Sequence, residues 1–374
     1  MTHTEYMDLA LTLAEQGRYT VSPNPMVGCV IVRDQAIVGQ GYHLKAGQHH
    51  AEINALAMAG PLAENATAYV TLEPCCHTGR TPPCVDALIR AKLKKIYVAC
   101  LDPNPLMSGK TVAALRTAGI EVEVGILEEK AKQLNQIFFH YITQKKPYVI
   151  AKWAMSLDGK MTVNAEDSPI ISGQSSHQHS HQLRRAVDAI LIGANTARID
   201  NPTLTARLFN HDSATDKQPL RIVLTSQGQL PNTLTLLTDA YKTLLVTTET
   251  IPQNRIKQWS AETVEILQIP YIRRPAVCPR DPVNYATMPK KTGHVDLPHL
   301  LNELGARQLT SLLVEGGRTV LESFFAENLV NQIHVYLAPV IIGSAMKYTL
   351  PHMSFSALDQ DCHLVSHCQQ VAYV

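Results

Sequence analysis

Charge of one sign is what this 374-residue chain most plainly lacks: 33 Lys and Arg stand against 32 Asp and Glu, a formal net charge of +1. That balance provides no electrostatic footprint for bulk nucleic acid or an anionic membrane surface, so neither is expected as a partner. Long apolar runs are missing too, and no stretch approaches the ~20 residues that a membrane span needs. The opening residues, Met1 to Asp8, carry neither the basic nor the apolar region of a secretory signal, and a cytoplasmic location is the expectation. Charged residues are only 17% of the chain and hydrophobic residues 45%, which excludes a disordered polyelectrolyte. The length fits two to three domains, each able to bury a core.

Cysteine is present but unevenly placed. In a cytoplasmic chain its eight cysteines are not read as a disulfide framework. Cys29, Cys100, Cys278, Cys362 and Cys368 are scattered and read as small buried hydrophobes. Cys75, Cys76 and Cys84 cluster.

Apolar spacing predicts helices over 4–16, 50–59, 82–91 and 110–118, with glycines at 17, 60 and 119 as stops. Short β-rich runs predict a hairpin (27–32 and 36–41) and strands over 67–72, 95–100 and 120–124. Alternating strands and helices imply a layered α/β domain, closed by an amphipathic stretch at 128–142. The polar, proline-containing segment 143–147 reads as a boundary, giving domains 1–146 and 147–374. Beyond it the alternation restarts: strands over 148–153, 189–192, 220–225, 243–248, 312–314 and 333–337, helices over 174–186 and 319–326. The proline- and base-rich segment 270–293 has no period and reads as a surface loop. The two halves share no motif, so the chain reads as two different α/β domains fused.

His50-Ala51-Glu52 opens a helix, Pro74-Cys75 follows a strand, and Cys84 starts the next helix. One His and two Cys suit zinc and leave a fourth tetrahedral position open. Glu52, two residues beyond the His, is near enough to move protons without being a ligand. This is the zinc-deaminase arrangement, in which metal-activated water attacks an amidine-like carbon and the Glu serves the leaving ammonia. Eight residues separate the cysteines where two are common. The alternative is a closed structural knuckle with Cys76 or His77 as fourth ligand, but such a site has no use for Glu52. His49 fits less well than His50, given the spacing to Glu52. Gly39 and Gly41 lie in the predicted hairpin with Leu44 where a dinucleotide fingerprint needs its third glycine, and are rejected as one.

The runs His50-Ala51-Glu52, Thr71-Leu72-Glu73-Pro74-Cys75 and Gly79-Arg80-Thr81-Pro82-Pro83-Cys84 resemble the bifunctional riboflavin-biosynthesis family. That family joins a diaminohydroxyphosphoribosylaminopyrimidine deaminase to a 5-amino-6-(5-phosphoribosylamino)uracil reductase. The resemblance covers nearly the whole chain, and it implies a cytidine-deaminase-like three-layer α/β/α domain fused to a dihydrofolate-reductase-like α/β domain. It further implies that Asn24, His43, His77 and Arg80 bind the pyrimidine ribosyl phosphate, Arg80 through the phosphate. Cys76 stands where the family usually has serine.

In the second half, Ser156-Leu157-Asp158-Gly159-Lys160, Gly193-Ala194-Asn195-Thr196, the run from Asp200 to Arg207 and Glu315-Gly316-Gly317-Arg318-Thr319 fall at predicted strand ends. Paired glycines before a helix N-terminus let backbone approach a phosphate, and together these turns make a crevice. The same resemblance implies NADPH along Ala154, Ile170, Thr196, Asp200, Ser226 and the turn Gly317, Arg318, Thr319, Val320, Leu321, Glu322 and Ser323. It implies substrate at Ser168, Arg184, Leu204, Arg207 and Glu315, the two arginines making physical sense as phosphate clamps. Ile170 stands where an aromatic is usual. One zinc and NADPH are thus the expected cofactors, pyrimidine ribosyl phosphates the substrates, and a homo-oligomer the expected state. His177, His179 and His181 read as a solvated helix face rather than a metal tract. A deaminase of free nucleosides or of tRNA adenosine fits the near-zero charge and long cysteine loop less well. A zinc-stabilised nucleotide-binding protein would differ by unfolding when its metal is removed.

Overall fold

The computed structural model describes residues 1–76, 82–104, 107–161, 172–207, 217–226, 228–259, 262–272, 294–342, 348–349, 353–358 and 361–366. The chain forms two compact units. The first is Met1–Tyr148 with Arg185–Asp188 and Asp296–Leu312; the second is Val149–Arg184, Ala189–Val295 and Leu313–Val374. In chain order the elements up to residue 144 are α1 (His3–Glu15), β1 (Gly28–Arg33), β2 (Ala36–Tyr42), α2 (Ala51–Ala59), β3 (Thr67–Val70), α3 (Cys84–Arg90), β4 (Lys95–Val98), α4 (Lys110–Thr117), β5 (Glu121–Val124), α5 (Glu128–Leu134) and α6 (Gln136–Gln144). They continue with β6 (Tyr148–Ser156), α7 (Gln174–Ala186), β7 (Ala189–Gly193), α8 (Ala194–Asp200), β8 (Leu220–Leu224), α9 (Thr235–Thr238), β9 (Thr243–Thr248), α10 (Gln253–Lys257) and β10 (Val264–Ile269). After the two-residue strands β11 (Tyr271–Ile272) and β12 (His294–Val295) come α11 (Leu297–Ala306), β13 (Ser311–Gly316), α12 (Arg318–Ala326) and β14 (Gln332–Ala338).

The first unit carries a five-stranded sheet in the order β2-β1-β3-β4-β5. β1 runs antiparallel to β2 and β3, whereas β3, β4 and β5 are parallel. Its three inner strands, β1, β3 and β4, are buried on both faces, as a sheet covered by helices on each side requires, while the edge strands β2 and β5 are partly exposed. Cys29, Ile31, Ala68, Val70, Ile96 and Val98 face α2, α3 and α4. Val30, Val32, Tyr69 and Tyr97 face α1, α5 and α6. Three layers result from this period-2 alternation. The hairpin turns through Asp34 and Gln35, both at positive φ (50° and 65°), the twist that two-residue hairpins favour. Gly39 and Gly41 serve the packing of α2: a Cβ at Gly39 would lie 2.2 Å from the Ala55 carbonyl oxygen and one at Gly41 2.7 Å from that of Ala51. Helix and hairpin can therefore approach closely, and α2 starts where the site needs it.

The second unit is built on a seven-stranded sheet, β10-β9-β8-β7-β13-β6-β14. β7 to β10 run parallel in succession and β14 is parallel to β6. The residues expected only as a turn at 194–196 begin a helix, α8, directly after β7. Most of the expected surface loop, 273–293, lies outside the described residues.

Candidate active sites

The first site assembles at two helix starts. His50 is the N-cap of α2, Glu52 sits in that helix's first turn, and Cys84 is the first residue of α3. Cys75 comes from the loop after β3 and is tied to α3 by the Cys84 N–H (3.3 Å to Sγ) and by its own carbonyl, which accepts from the Val85 N–H (3.2 Å). The ligand atoms of His50, Cys75 and Cys84 all lie within 4.8 Å of one another, and they are the one such group among the described residues. His50 Nδ1 is 3.5 Å from Cys75 Sγ and 3.3 Å from Cys84 Sγ. A soft, convergent set of two thiols and an imidazole fits zinc. Cys76 is outside the group; its side chain packs on the core of Val85 and Leu88. His77 and Arg80 lie outside the described residues.

The two thiols share one proton: the bond to Cys75, with burial, pushes the Cys84 thiol up and leaves Cys75 as the thiolate. Hydrogen bonds from Cys84 and then His50 hold the Cys75 thiol well below its usual value against the cost of burial. The Cys75 hydrogen bond in turn raises His50. Burial pushes the Glu52 carboxyl up to about 7, and Glu52 is only 3% exposed. A carboxyl so tuned can both take and give a proton near neutrality.

A cavity of about 450 Å³ opens beside this group, lined among others by Asn24, His43, His50, Glu52, Cys75, Asp102, Asn104 and Gln308. His43 Nδ1 donates to the His49 carbonyl (3.1 Å), which makes Nε2 the acceptor for Asn24 Nδ2 (3.1 Å). Burial lowers the His43 pKa, aided by the neighbouring His50, so the ring stays neutral. Glu73 is an anchor that the sequence reading did not single out. Its Oε2 accepts from the N–H groups of Asp102 (3.2 Å) and Gly109 (2.9 Å), its Oε1 from those of Thr111 (3.0 Å) and Val112 (3.3 Å). It thereby caps α4, whose own N-cap, Gly109, has no side chain, and fixes Pro74 and Cys75 beside it. Asp102 and Asn104, with prolines after each, had a legible signal: a strand-to-helix loop rich in turn formers.

The second unit brings the β7–α8 and β13–α12 turns together. A Cβ on Gly317 (φ 66°) would lie 3.0 Å from Thr196 Oγ1, and one on Gly193 2.8 Å from Val320 Cγ2. Thr196, Gly316, Gly317 and the first turn of α12 therefore share one locus, with the Leu321 side chain buried in the core and Arg318, Thr319 and Glu322 exposed. Ala154 lies on β6 opposite Tyr336, Asp200 ends α8, and Ser226 follows β8 with its carbonyl accepting from Thr248 Oγ1 (3.0 Å). Ser168 and Ile170 lie outside the described residues.

Arg184 is committed to a carboxylate. Nε and Nη2 each donate to Glu315 at 2.7 Å, and Nη1 donates to the Thr205 carbonyl (3.2 Å). Burial alone would raise the Glu315 carboxyl, but these bonds hold it below its usual value. Lys152 Nζ, whose pKa burial lowers, is 3.9 Å from Glu315, a charged neighbour that the sequence reading missed. The adjacent 203–207 strap is pinned throughout. Arg221 Nη1 donates to the Thr203 carbonyl (3.2 Å), Gln218 bonds both ends of Ala206, and the Arg207 N–H donates to His181 Nδ1 (3.1 Å). Within it Leu204 sits at φ 52°, a left-handed conformation costly for a branched side chain and held by these bonds. Arg207 Nη1 donates to the hydroxyls of Thr203 and Thr205. The histidine tract splits between two neighbours, His181 on this strap and His179 on Tyr336 (2.8 Å).

A zinc-region deaminase on an α/β/α unit joined to an α/β reductase is the class of protein that this architecture defines. Comparison with known proteins narrows it. Residues 1–100 match the cytidine and deoxycytidylate deaminase zinc-binding region, and residues 147–371 the RibD C-terminal domain. The riboflavin biosynthesis protein RibD of Aquifex aeolicus is 42% identical over 342 residues, 91% of this chain and 88% of the relative; that of Escherichia coli K12 is 39% identical over 347 residues, with the same shares. The structure of Acinetobacter baumannii RibD (form 1) superposes with a TM-score of 0.77 at 37% identity, covering 96% of this chain and 97% of the other. The Thermotoga maritima deaminase/reductase superposes at 0.76 with 30% identity and 98% coverage of each. The chain belongs to the RibD family, the bifunctional deaminase–reductases of riboflavin biosynthesis.

Proposed function

We propose that the first unit hydrolytically deaminates 2,5-diamino-6-(5-phosphoribosylamino)pyrimidin-4(3H)-one and that the second reduces the resulting 5-amino-6-(5-phosphoribosylamino)uracil, with NADPH, to the ribitylamino compound. The observation that carries the first step is a buried Glu52, tuned by burial to about 7, beside a His–Cys–Cys group in one cavity. His50, Cys75 and Cys84 would hold the metal; zinc, when bound, supplies Lewis-acid activation of water near neutral pH. Glu52 takes a proton at its carboxylate and returns it to the departing amino group as ammonia forms. Asn24, oriented by His43, keeps its Oδ1 as an acceptor for a ring N–H. His77 and Arg80 would help bind the pyrimidine ribosyl phosphate, Arg80 through the phosphate.

In the second unit NADPH would lie along Ala154, Ile170, Thr196, Asp200, Ser226 and Gly317–Ser323, supported by the close approach of Thr196 to Gly317. The cofactor, when bound, supplies the hydride. Substrate would meet Ser168, Arg184, Leu204, Arg207 and Glu315. Arg184 gives three of its five N–H donors to Glu315 and the Thr205 carbonyl, so it would hold Glu315 ionised and aimed with two donors left for substrate, and Arg207 would join it on the phosphate. Lys152, 3.9 Å from Glu315, would add a second positive charge beside that carboxylate. A cytoplasmic location suits a site that needs reduced thiols, and self-association would use the β14 edge, where Ile333 and Val335 are exposed. Product analysis decides the reading. The diaminopyrimidine ribosyl phosphate should release ammonia and yield the ribosylaminouracil without NADPH, and the ribitylaminouracil with it. NADPH consumption on the undeaminated compound, or no ammonia release by zinc-loaded protein, would overturn it.

A further inference from the structure

We propose that Asp188 is a positioning residue for the deaminase, acting through Ser22 on the turn that presents Asn24. A segment inside the reductase region of the sequence is then a working part of the deamination site. The inference rests on the reading of Asn24 as a substrate ligand.

The turn from Ser22 to Met26 has little backbone support of its own. Pro23 and Pro25 have no N–H to give, and Asn24 N–H donates to the Val21 carbonyl (2.7 Å). Side chains hold it at both ends instead. At the far end, Asn135, 2% exposed, accepts from the Met26 N–H (2.8 Å) and donates to the Met26 carbonyl (2.8 Å). At the near end, the Ser22 hydroxyl donates to Asp188 Oδ2 (2.8 Å).

That carboxylate is a fixed post. Asp188 is 7% exposed, and the same oxygen accepts from the Thr310 N–H (2.8 Å) and hydroxyl (2.7 Å), just past α11. A second contact lies alongside, the Arg185 guanidinium 4.5 Å from the centre of the Tyr19 ring. Residues 185–188 thus grip 19–22 twice, within the first compact unit. Pro23, Asn24 and Pro25 line the cavity, whereas Ser22 and Asp188 do not. Their effect on substrate must therefore pass through the turn. The Asn24–His43 bond at 3.1 Å gives little room for a shift, and misplacement by about 1 Å can cost about 10²-fold.

The test uses zinc-loaded, full-length protein. Ser22→Ala removes the link to the turn and leaves the Asp188–Thr310 bonds intact. It should raise the deaminase KM about tenfold with kcat within about threefold, and leave reduction of the ribosylaminouracil unchanged. Ser22→Thr, which keeps a hydroxyl, should restore most of the KM. Ser22→Ala and Asp188→Ala should be non-additive in KM, because each removes one partner of the same hydrogen bond. If Asp188 merely fastens the fold, Ser22→Ala leaves KM at the parent value, and that result overturns the inference. Asn24→Ala is the control. If it leaves KM unchanged, the substrate reading fails and takes the inference with it; if it raises KM while Ser22→Ala does not, the inference alone fails.

Discussion

Glu73 offers a perturbation in which the conservative substitution should do the greater harm. Its carboxylate is 5% exposed and accepts four backbone N–H groups, two on each oxygen. Glu73→Gln keeps one oxygen and turns an NH₂ group towards the other two N–H donors. Donor then faces donor whichever way the amide is flipped. Each buried N–H left without an acceptor costs about 1–3 kcal/mol, so two such groups cost about 2–6 kcal/mol. Loss of the negative charge at the α4 N-terminus adds about 0.3–1 kcal/mol. Glu73→Ala strips all four bonds, but Glu73 lines the cavity, so water can enter and serve the exposed donors. The alanine variant should therefore fall at the lower end of the same range.

The assay can separate the units. Trp153 and Trp259 are the chain's two tryptophans and both lie in the second unit, so their fluorescence reports that unit, while loss of deaminase activity reports the first. In urea, Glu73→Gln should move the deaminase midpoint down by the equivalent of several kcal/mol, with the tryptophan transition unmoved, and zinc should pass faster to a chelator as Cys75 loosens. A Glu73→Gln midpoint within about 0.5 kcal/mol of the parent, the spread of ordinary surface substitutions, would refute the capping argument.

Other expectations follow from the same geometry. Glu52→Gln keeps the shape but not the proton carrier, so deamination should fall about 10²–10⁴-fold with zinc content and reductase unchanged; a loss below tenfold would remove Glu52 from the mechanism. Elemental analysis should find one zinc per chain, and its removal should abolish deamination while far-UV circular dichroism and the reductase persist; collapse of the first unit would indicate a structural metal instead. Arg184→Met leaves Glu315 buried with its bidentate partner gone and should cost about 3–5 kcal/mol in the tryptophan transition. Adding Glu315→Leu should recover much of that stability and none of the NADPH oxidation. Recovery of activity in the double variant would exclude a role for the Glu315 charge.

Local chemistry was legible in the sequence, and long-range closure was not. The hairpin, α1, α2 and α7 follow from spacing and stop signals a few residues apart, and the metal group from residue types at two helix starts. Glu73 gave no such signal, because its four donors come from Asp102 and from residues 109–112. The pairing of Arg184 with Glu315 gave no signal, because the two residues are 131 apart in sequence. α11 did carry a signal, Asp296 as N-cap and Leu297, Leu300, Leu301 and Leu304 buried at helical spacing, but it follows a periodless, proline-rich stretch. β10 alternates too weakly to stand out, its burial being partial over most of its length. The boundary proposed at 143–147 rests on composition. The inclusion of Arg185–Asp188 and Asp296–Leu312 in the first unit does not, since it depends on tertiary contacts such as Asp188 with Ser22.

The two sites solve opposite problems with the same residue type. Glu52 and Glu315 are both buried carboxyls at the edge of a helix-lined site, and burial alone pushes each towards the neutral form. Glu52 has His50 as its nearest cationic neighbour and Cys75 as an anionic one, so burial prevails and its pKa rises to about 7. A deaminase needs that, because the same oxygen must accept a proton and release it in one turnover. Glu315 faces a bidentate Arg184 and, at 3.9 Å, Lys152, so charge prevails and it stays ionised across the working pH range. A reductase that draws its hydride from a cofactor needs from the protein a fixed charge and a precise anchor rather than a titrating base. The difference in charge state follows from neighbours: removing Arg184 would push Glu315 towards the state that Glu52 already occupies.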